Sequence, residues 1–534
     1  PSQPSEYGVG SDEVFTQLKA VTDPTFQLQW QYQEGCYGGG DCMAEASGGF
    51  DDGGADASDG EPEEPSVDIL ASGSVGPFNF EVVKSESDAA LFAWLNTNGY
   101  DQPEEAKPLI GHYVTKNFVF LALKLQNDKE VGDIQPIVVT YTSDEFACVP
   151  LKLTSIAAAQ DMDVTTWVLA KARAVPINYF HVTLNPKAYP WLKCGGYYWF
   201  GDSDCTTAYK DMVTAAADAA NGHAFVTEYA GTSALMKDRL FVEGQFNLEK
   251  LGGITDPIAF LQELLNQGFP RGPTMQELIK KWIPKPEGLS AECADDASFY
   301  SFNSETCFAL IPHSWTFDPT GFAADIDTKI VAPLKANQAL FTQFPYLTRL
   351  FTIISPEEME KDPIFSFNPD LPDVSNQHIS KATPVCKPGE TTASAVTIEY
   401  PDGSTETLNG TFNQCSPPIL EGGSTDDQPA YSEIQVMGES GPPEAVEAGD
   451  VLRREPQIET RNPTPGKSEE PQNPDVVGDV DRTGGTFGKA PTTTTTTQAS
   501  GSSSGCEATS RGQFSMLGLL SLALLALSGR RRQA

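Results

Sequence analysis

Apolar positions first recur at helical spacing in "SDEVFTQLKAV" (11–21), where Val14, Phe15, Leu18 and Val21 share one face. Ser11 or Asp12 stands where a cap belongs. The next stretch, "TFQLQWQYQ" (25–33), alternates Phe26, Leu28, Trp30 and Tyr32 and predicts a strand. "GPFNFEVVK" predicts another. "SDAALFAWLNTNG" predicts a helix capped by Ser87 and stopped at Gly99. Between residues 117 and 185 come five β-rich runs: "NFVFLALKLQ", "QPIVVTYTS", "VPLKLTSIA", "VTTWVLAKARA" and "NYFHVTLN". Their connections are too short for helical crossovers, so they predict an antiparallel meander.

Beyond residue 205 the pattern turns helical. "TTAYKDMVTAAADAANG" runs to Gly222 and leads into the strand-like "HAFVTEYAG". "DPIAFLQELLNQG" carries Asp256 as cap, Pro257 at its first position and Gly268 at its stop. Capping boxes are expected at Thr274 with Glu277, and at Ser355 with Glu358. Residues 386–415 read as a β-hairpin turning at "PDGS". Strands with interspersed helices and no βαβ rhythm give an α+β class built on antiparallel sheet.

Two stretches lack apolar periodicity. Residues 41–68 hold ten acids and no base, and are expected to be a mobile acidic insertion. Residues 416–505 hold eleven prolines, fifteen acids, six bases and only two aromatics, which predicts a disordered tether. The expected organisation is therefore an α+β ectodomain over 1–385, a hairpin over 386–415, a linker over 416–505 and a terminal element over 506–534. These segments carry much of the net charge of −38, which excludes nucleic acid as a partner because phosphate binding needs clustered Lys and Arg.

The chain has ten cysteines. Eight fall into close neighbours, Cys36 with Cys42, Cys194 with Cys205, Cys293 with Cys307, and Cys386 with Cys415, each bracketing a loop rich in Gly, Ser or Asp. None of these pairs has CxxC spacing and the five histidines are scattered, so disulfides in an oxidising compartment are favoured over a metal. No cofactor is expected. Cys148, inside "EFACVPLKL", is expected to be a buried free thiol. The chain starts at Pro1 without a signal peptide, as a mature form or an excised piece would.

The last element is "GCEATSRGQFSMLGLLSLALLALSGRRRQA" (505–534). Gly512 to Gly529 is uncharged and, as a helix, would be about 27 Å long, near the thickness of a bilayer core. Arg530, Arg531 and Arg532 follow and act as a membrane stop, keeping the rest of the chain outside. This arrangement resembles the tripartite MYXO-CTERM sorting signal, similar in plan to GlyGly-CTERM tails. The resemblance implies a processing protease, cleavage or lipidation at Cys506, and display at the cell surface. The folded part resembles the bacterial domain of unknown function numbered 2330, through "YGVGSDEVFTQLKAVTDPTFQL", "GPFNFEVVKSESDAALFAWLNTNGY", "IQPIVVTYTS" and "VPLKLTSIAAAQDMDVTTWVLA". More loosely, "HAFVTEYAG" and "YLTRLFTIISPEEMEKDPIFSFNPDLPDVSN" extend it across most of 5–385. That family implies an exported bacterial ectodomain and brings no catalytic residues with it.

Chemistry is sparse. There is no HExxH, no P-loop, no CxxC and no GxSxG elbow on a strand-to-helix turn. Tyr197, Tyr198 and Trp199 lie in "CGGYYWFGDSDC", where a stapled loop would present aromatics to a sugar or a protein partner or else cover a satellite core. Glu228 and His181 are single candidate acids or bases whose partners the sequence does not locate, and Asp161 with Asp163 in "QDMDVTT" are either metal ligands or a turn before a strand. The leading expectation is a non-catalytic binding or structural ectodomain facing an unidentified extracellular ligand. The alternative is an anchored extracellular hydrolase acting on peptide or glycan.

Overall fold

The computed structural model describes residues 6–31, 67–126, 136–141, 147–194, 203–289, 291–294, 296–300, 305–386, 392–412, 419–420, 428–454 and 456. Within them the chain is α+β, with five sheets. The central sheet has six strands in the order Glu444–Val446, Tyr431–Val436, Phe180–Leu184, Ala224–Thr232, Tyr346–Ile354, Met162–Ala170. All its pairings are antiparallel except that of Phe180–Leu184 with Ala224–Thr232. A five-stranded sheet packs beside it, in the order Ile419–Leu420, Thr405–Phe412, Ala393–Glu399, Gln377–Val385, Thr25–Trp30. There Thr25–Trp30 runs parallel to Gln377–Val385, more than three hundred residues later.

The three largest apolar cores among the described residues follow from this layering. One is helical, built on Phe260, Leu264, Ile279, Phe299, Phe322 and Leu334. A second lies between the central sheet, the helix Ser203–Ala219 and the five-stranded sheet, and includes Leu28, Phe180, Val213, Val396 and Ile434. A smaller third core joins the sheet Asp68–Val75, Phe78–Lys84, Phe120–Leu125 to the helices Asp88–Thr97 and Ala106–Thr115.

Local signals act as their chemistry demands. Ser11 accepts from Glu13 N–H, Ser87 from Ala90 N–H and Asp256 from Ala259 N–H. Gly99, Gly222 and Gly268 each take a φ of 72°, the left-handed stop expected of them. Ser355 and Glu358 form their capping box, on a short 3-10 turn. The second box does not form. That helix starts at Pro273 with Gly272 as its cap, because proline's fixed φ suits the first helical position and sets the start ahead of Thr274. Pro319–Gln343 is continuous but widens into a π turn at Asp327–Val331. Pro333 has no N–H to give the carbonyl four residues back, and Ala332 N–H bonds instead to Asp327 O, five back.

Three expectations about architecture are corrected. The runs between 117 and 185 are not a meander: Phe120–Leu125, Ile137–Thr140, Met162–Ala170 and Phe180–Leu184 pair with strands elsewhere in the chain and are spread over three sheets. Short connections rule out crossovers but do not oblige neighbours to pair. "VPLKLTSIA" contains the helix Leu151–Thr154, whose first turn is held by Asp362 accepting from Lys152 N–H at 2.9 Å. Finally, the chain does not become a tether at residue 416. Tyr431–Val436 and Glu444–Val446 complete the central sheet, burying Ile434, Val446 and Val451. The hairpin of Ala393–Glu399 and Thr405–Phe412 belongs to the five-stranded sheet rather than standing alone.

Candidate functional site

Ala224–Thr232 is the strand from which the polar interior is organised. Its neighbours in chain pattern are apolar, yet it carries Thr227 and Glu228. Register with Tyr346–Ile354 shifts between Thr227 and Tyr229, so Glu228 occupies a bulge. Bulging re-aims side chains, and the two residues enter separate networks.

Glu228 is only 3% exposed. Its Oε1 accepts from the Tyr209 hydroxyl at 2.7 Å, and its Oε2 lies 2.5 Å from Arg349 Nε. Arg349 also pairs with Asp23 and donates to Thr22 Oγ1 at 3.3 Å, while its guanidinium sits 5.2 Å from the centre of the Trp167 ring. Trp167 Nε1 donates to the same Thr22 hydroxyl at 3.1 Å. Burial pushes the Glu228 carboxyl up, against the pull of Arg349 and Tyr209. Burial and the adjacent Glu228 carboxylate drive the Tyr209 phenol upward.

Thr227 leads to His181. Thr227 N–H donates to His181 Nε2 at 3.3 Å, which places the ring proton on Nδ1, 3.2 Å from Gln435 Oε1. The Thr227 hydroxyl lies 3.0 Å from the same Nε2 and accepts from Arg173 at 3.1 Å. His181 is thus held neutral: burial and then Arg173 lower its pKa to about 3, with Gln435 opposing.

A third network joins the small core to the rest. Both oxygens of Asp362 lie 2.8 Å from the Tyr113 hydroxyl, and its backbone carbonyl accepts from Asn178 at 2.6 Å. Asn178 in turn accepts from Ile364 N–H at 2.7 Å. Burial raises the Asp362 carboxyl, opposed by Lys152 N–H and Tyr113.

Asp161 and Asp163 do not act together. Asp161, at a φ of 52°, faces Ser355, whereas Asp163 pairs with Lys210 at 2.5 Å. Among the described residues no group of three or more His, Cys, Asp and Glu is arranged to hold a metal ion. The disulfides Cys194–Cys205 and Cys293–Cys307 are formed. Cys148 is not a free thiol: it is disulfide-bonded, as is Cys386. Cys148 ends a two-residue edge strand and is only half-buried, so it is not sealed in the apolar core that its neighbours suggested. Tyr197, Tyr198, Trp199, Cys36, Cys42, Cys415, Cys506, Arg530, Arg531 and Arg532 lie outside the described residues, as does the apolar span 512–529. Among the described residues no helix is long and apolar enough to cross a membrane.

Residues 1–266 match the model of a family described as "Uncharacterized protein conserved in bacteria (DUF2330)". Over these residues, just under half of its length, the chain is similar to the DUF2330 family. The DUF2330 match stops well short of residue 385, where the sequence resemblance was expected to reach. No curated protein and no solved structure matches the chain. The DUF2330 stretch supplies Asp23, Tyr113, Arg173, His181, Tyr209, Thr227 and Glu228, but Arg349, Asp362 and Gln435 come from beyond it. Each network is therefore closed by later sequence. Sequence reasoning found Glu228 and His181 and missed Arg349, Tyr209 and Asp362. The signal for Arg349 was present: a lone arginine inside the apolar run "YLTRLFTII", matching a lone glutamate inside "HAFVTEYAG".

Proposed function

We propose that the chain is an exported bacterial envelope protein, anchored through its C-terminus, whose folded part binds or supports rather than catalyses. The observation that carries the second half is the use made of its buried ionisable groups. Glu228, His181 and Asp362 each spend their polar atoms on partners inside the fold, where a catalytic group must present an atom to a reactant. The disulfides Cys194–Cys205 and Cys293–Cys307 support export, since such bonds persist outside the reducing cytosol. The first of them closes the base of the segment carrying Tyr197, Tyr198 and Trp199, which we assign as the binding aromatics.

Anchoring is tested by deleting 506–534 in the bacterial host. Release of the protein into the medium is expected, and unchanged retention in the membrane fraction would overturn the anchor. Binding is tested by capture from envelope extracts with the wild type and with Tyr197, Tyr198 and Trp199 all replaced by Ala. The same partners recovered at the same yield from both would remove the aromatics from the reading.

The alternative, an anchored hydrolase on peptide or glycan, draws on one observation. His313 is largely exposed, and its Nδ1 lies 2.5 Å from Asp256 Oδ2, an imidazole oriented by a carboxylate. Hydrolysis of envelope peptide or glycan that disappears in His313→Ala would favour it.

A further inference from the structure

Cys148 lies at the edge of the sheet Ala147–Cys148, Ile364–Asn368, Arg173–Pro176 and pairs there with Ile364. It is half-buried and disulfide-bonded. Two disulfides already consume Cys194, Cys205, Cys293 and Cys307. Five cysteines remain to partner it: Cys36, Cys42, Cys386, Cys415 and Cys506. The nearest in sequence, Cys42, is about a hundred residues away.

We infer that Cys148 carries a long-range disulfide that staples this sheet edge to a distant segment of the same chain. The bond forms by oxidation of two thiols, with loss of two protons and two electrons. An oxidised protein dithiol of the export compartment accepts both through thiol–disulfide exchange. The staple changes the covalent plan. A framework made only of local loops leaves Cys148 with nothing to bond. Because its partner comes from the five, at least one of three things gives way: the pair Cys36 with Cys42, the pair Cys386 with Cys415, or the processing of Cys506. The inference stands on the folded part alone and does not depend on anchoring.

The test is peptide mapping of the oxidised full chain, alkylated and digested at acidic pH without reduction. The peptide bearing Cys148 is expected to run joined to one bearing Cys36, Cys42, Cys386, Cys415 or Cys506. Recovery of the Cys148 peptide alone and alkylated, or joined to Cys148 of a second chain, would overturn the staple. A thiol count on unfolded, unreduced Cys148→Ser gives an independent reading. The staple predicts that a thiol appears, belonging to the abandoned partner, whereas a free Cys148 predicts that one disappears. A partner identified as Cys506 would uphold the staple and remove the processing of that cysteine, so the two readings fail separately.

Discussion

Arg349 holds together residues from three distant parts of the chain: Asp23 and Thr22, Trp167, and Glu228. Truncating it strands a buried carboxylate. Arg349→Ala is expected to destabilise the protein by about 3–5 kcal/mol, measured by urea unfolding of the oxidised form. The double variant Arg349→Met with Glu228→Gln is expected to recover much of that loss, since it removes both charges. His181 sets a pH dependence. Its folded pKa is lowered to about 3 from 6.5, so below 6.5 the unfolded chain binds a proton that the folded chain refuses. Its stabilising contribution is full above that value and falls with acidification, on the order of 1.4 kcal/mol per pH unit inside the window. Half-buried His378, its pKa lowered by desolvation, acts in the same direction. Glu228 and Asp362, both raised, act oppositely, losing stability as pH rises through their folded values. The comparison of wild type with His181→Gln isolates the histidine: a thermal midpoint that falls less steeply with acid in the variant is expected, and parallel profiles would remove His181 from the account.

Turns and caps respond to their immediate surroundings. Gly222 and Gly268 share a φ of 72°, but a Cβ at 222 would meet the Glu358 side chain at 2.6 Å, while at 268 it would meet nothing within 4 Å. Gly268→Ala should therefore cost about 1 kcal/mol for its backbone alone, and Gly222→Ala clearly more, read from the two denaturation midpoints. Such elements were legible in the sequence because their causes are local. Ser87, Asp256, Pro257 and the left-handed glycines act on atoms within a few residues of themselves. The strands themselves were largely legible too, from alternation. Their partners were not, because period-two patterning gives which face is buried and says nothing of which strand lies alongside. The helix at Leu151 was hidden for a related reason: part of what holds it is the carboxylate of Asp362, two hundred residues on. Glu228 and His181 were visible as odd polar residues in apolar runs, but their roles depend on Arg349 and Gln435, which only the fold brings near.

For the whole molecule, the informative boundary is the one composition obscured. Proline and acid content made everything after residue 416 look unfoldable, yet a few well-placed apolar residues, Ile434, Met437, Val446 and Val451, suffice when an existing sheet edge receives them. A chain ended at Cys415 should lose its cooperative transition and become sensitive to limited proteolysis. A chain ended after residue 456 should melt as the full-length protein does. If both behave alike, the last two strands add nothing to the folded state. The long-range staple bears on the same property: a loop of about a hundred residues, the shortest that any of the five partners would close, is worth about 4–5 kcal/mol in the chain-entropy account, and longer loops slightly more. Reducing agent should therefore lower the thermal midpoint, and Cys148→Ser in oxidising buffer should reproduce part of that fall.

The pairing of Phe180–Leu184 with Tyr431–Val436 also orders events in time. The ribosome delivers the first of these strands some two hundred and fifty residues before the second. Until then His181 lacks Gln435 and the sheet presents an open side. The early strand Thr25–Trp30 likewise waits for Gln377–Val385. Non-local pairing of this kind slows folding. Under the proposed export, such late closure leaves these strands unpaired while the chain is made, the state that a narrow translocation channel needs in order to thread it.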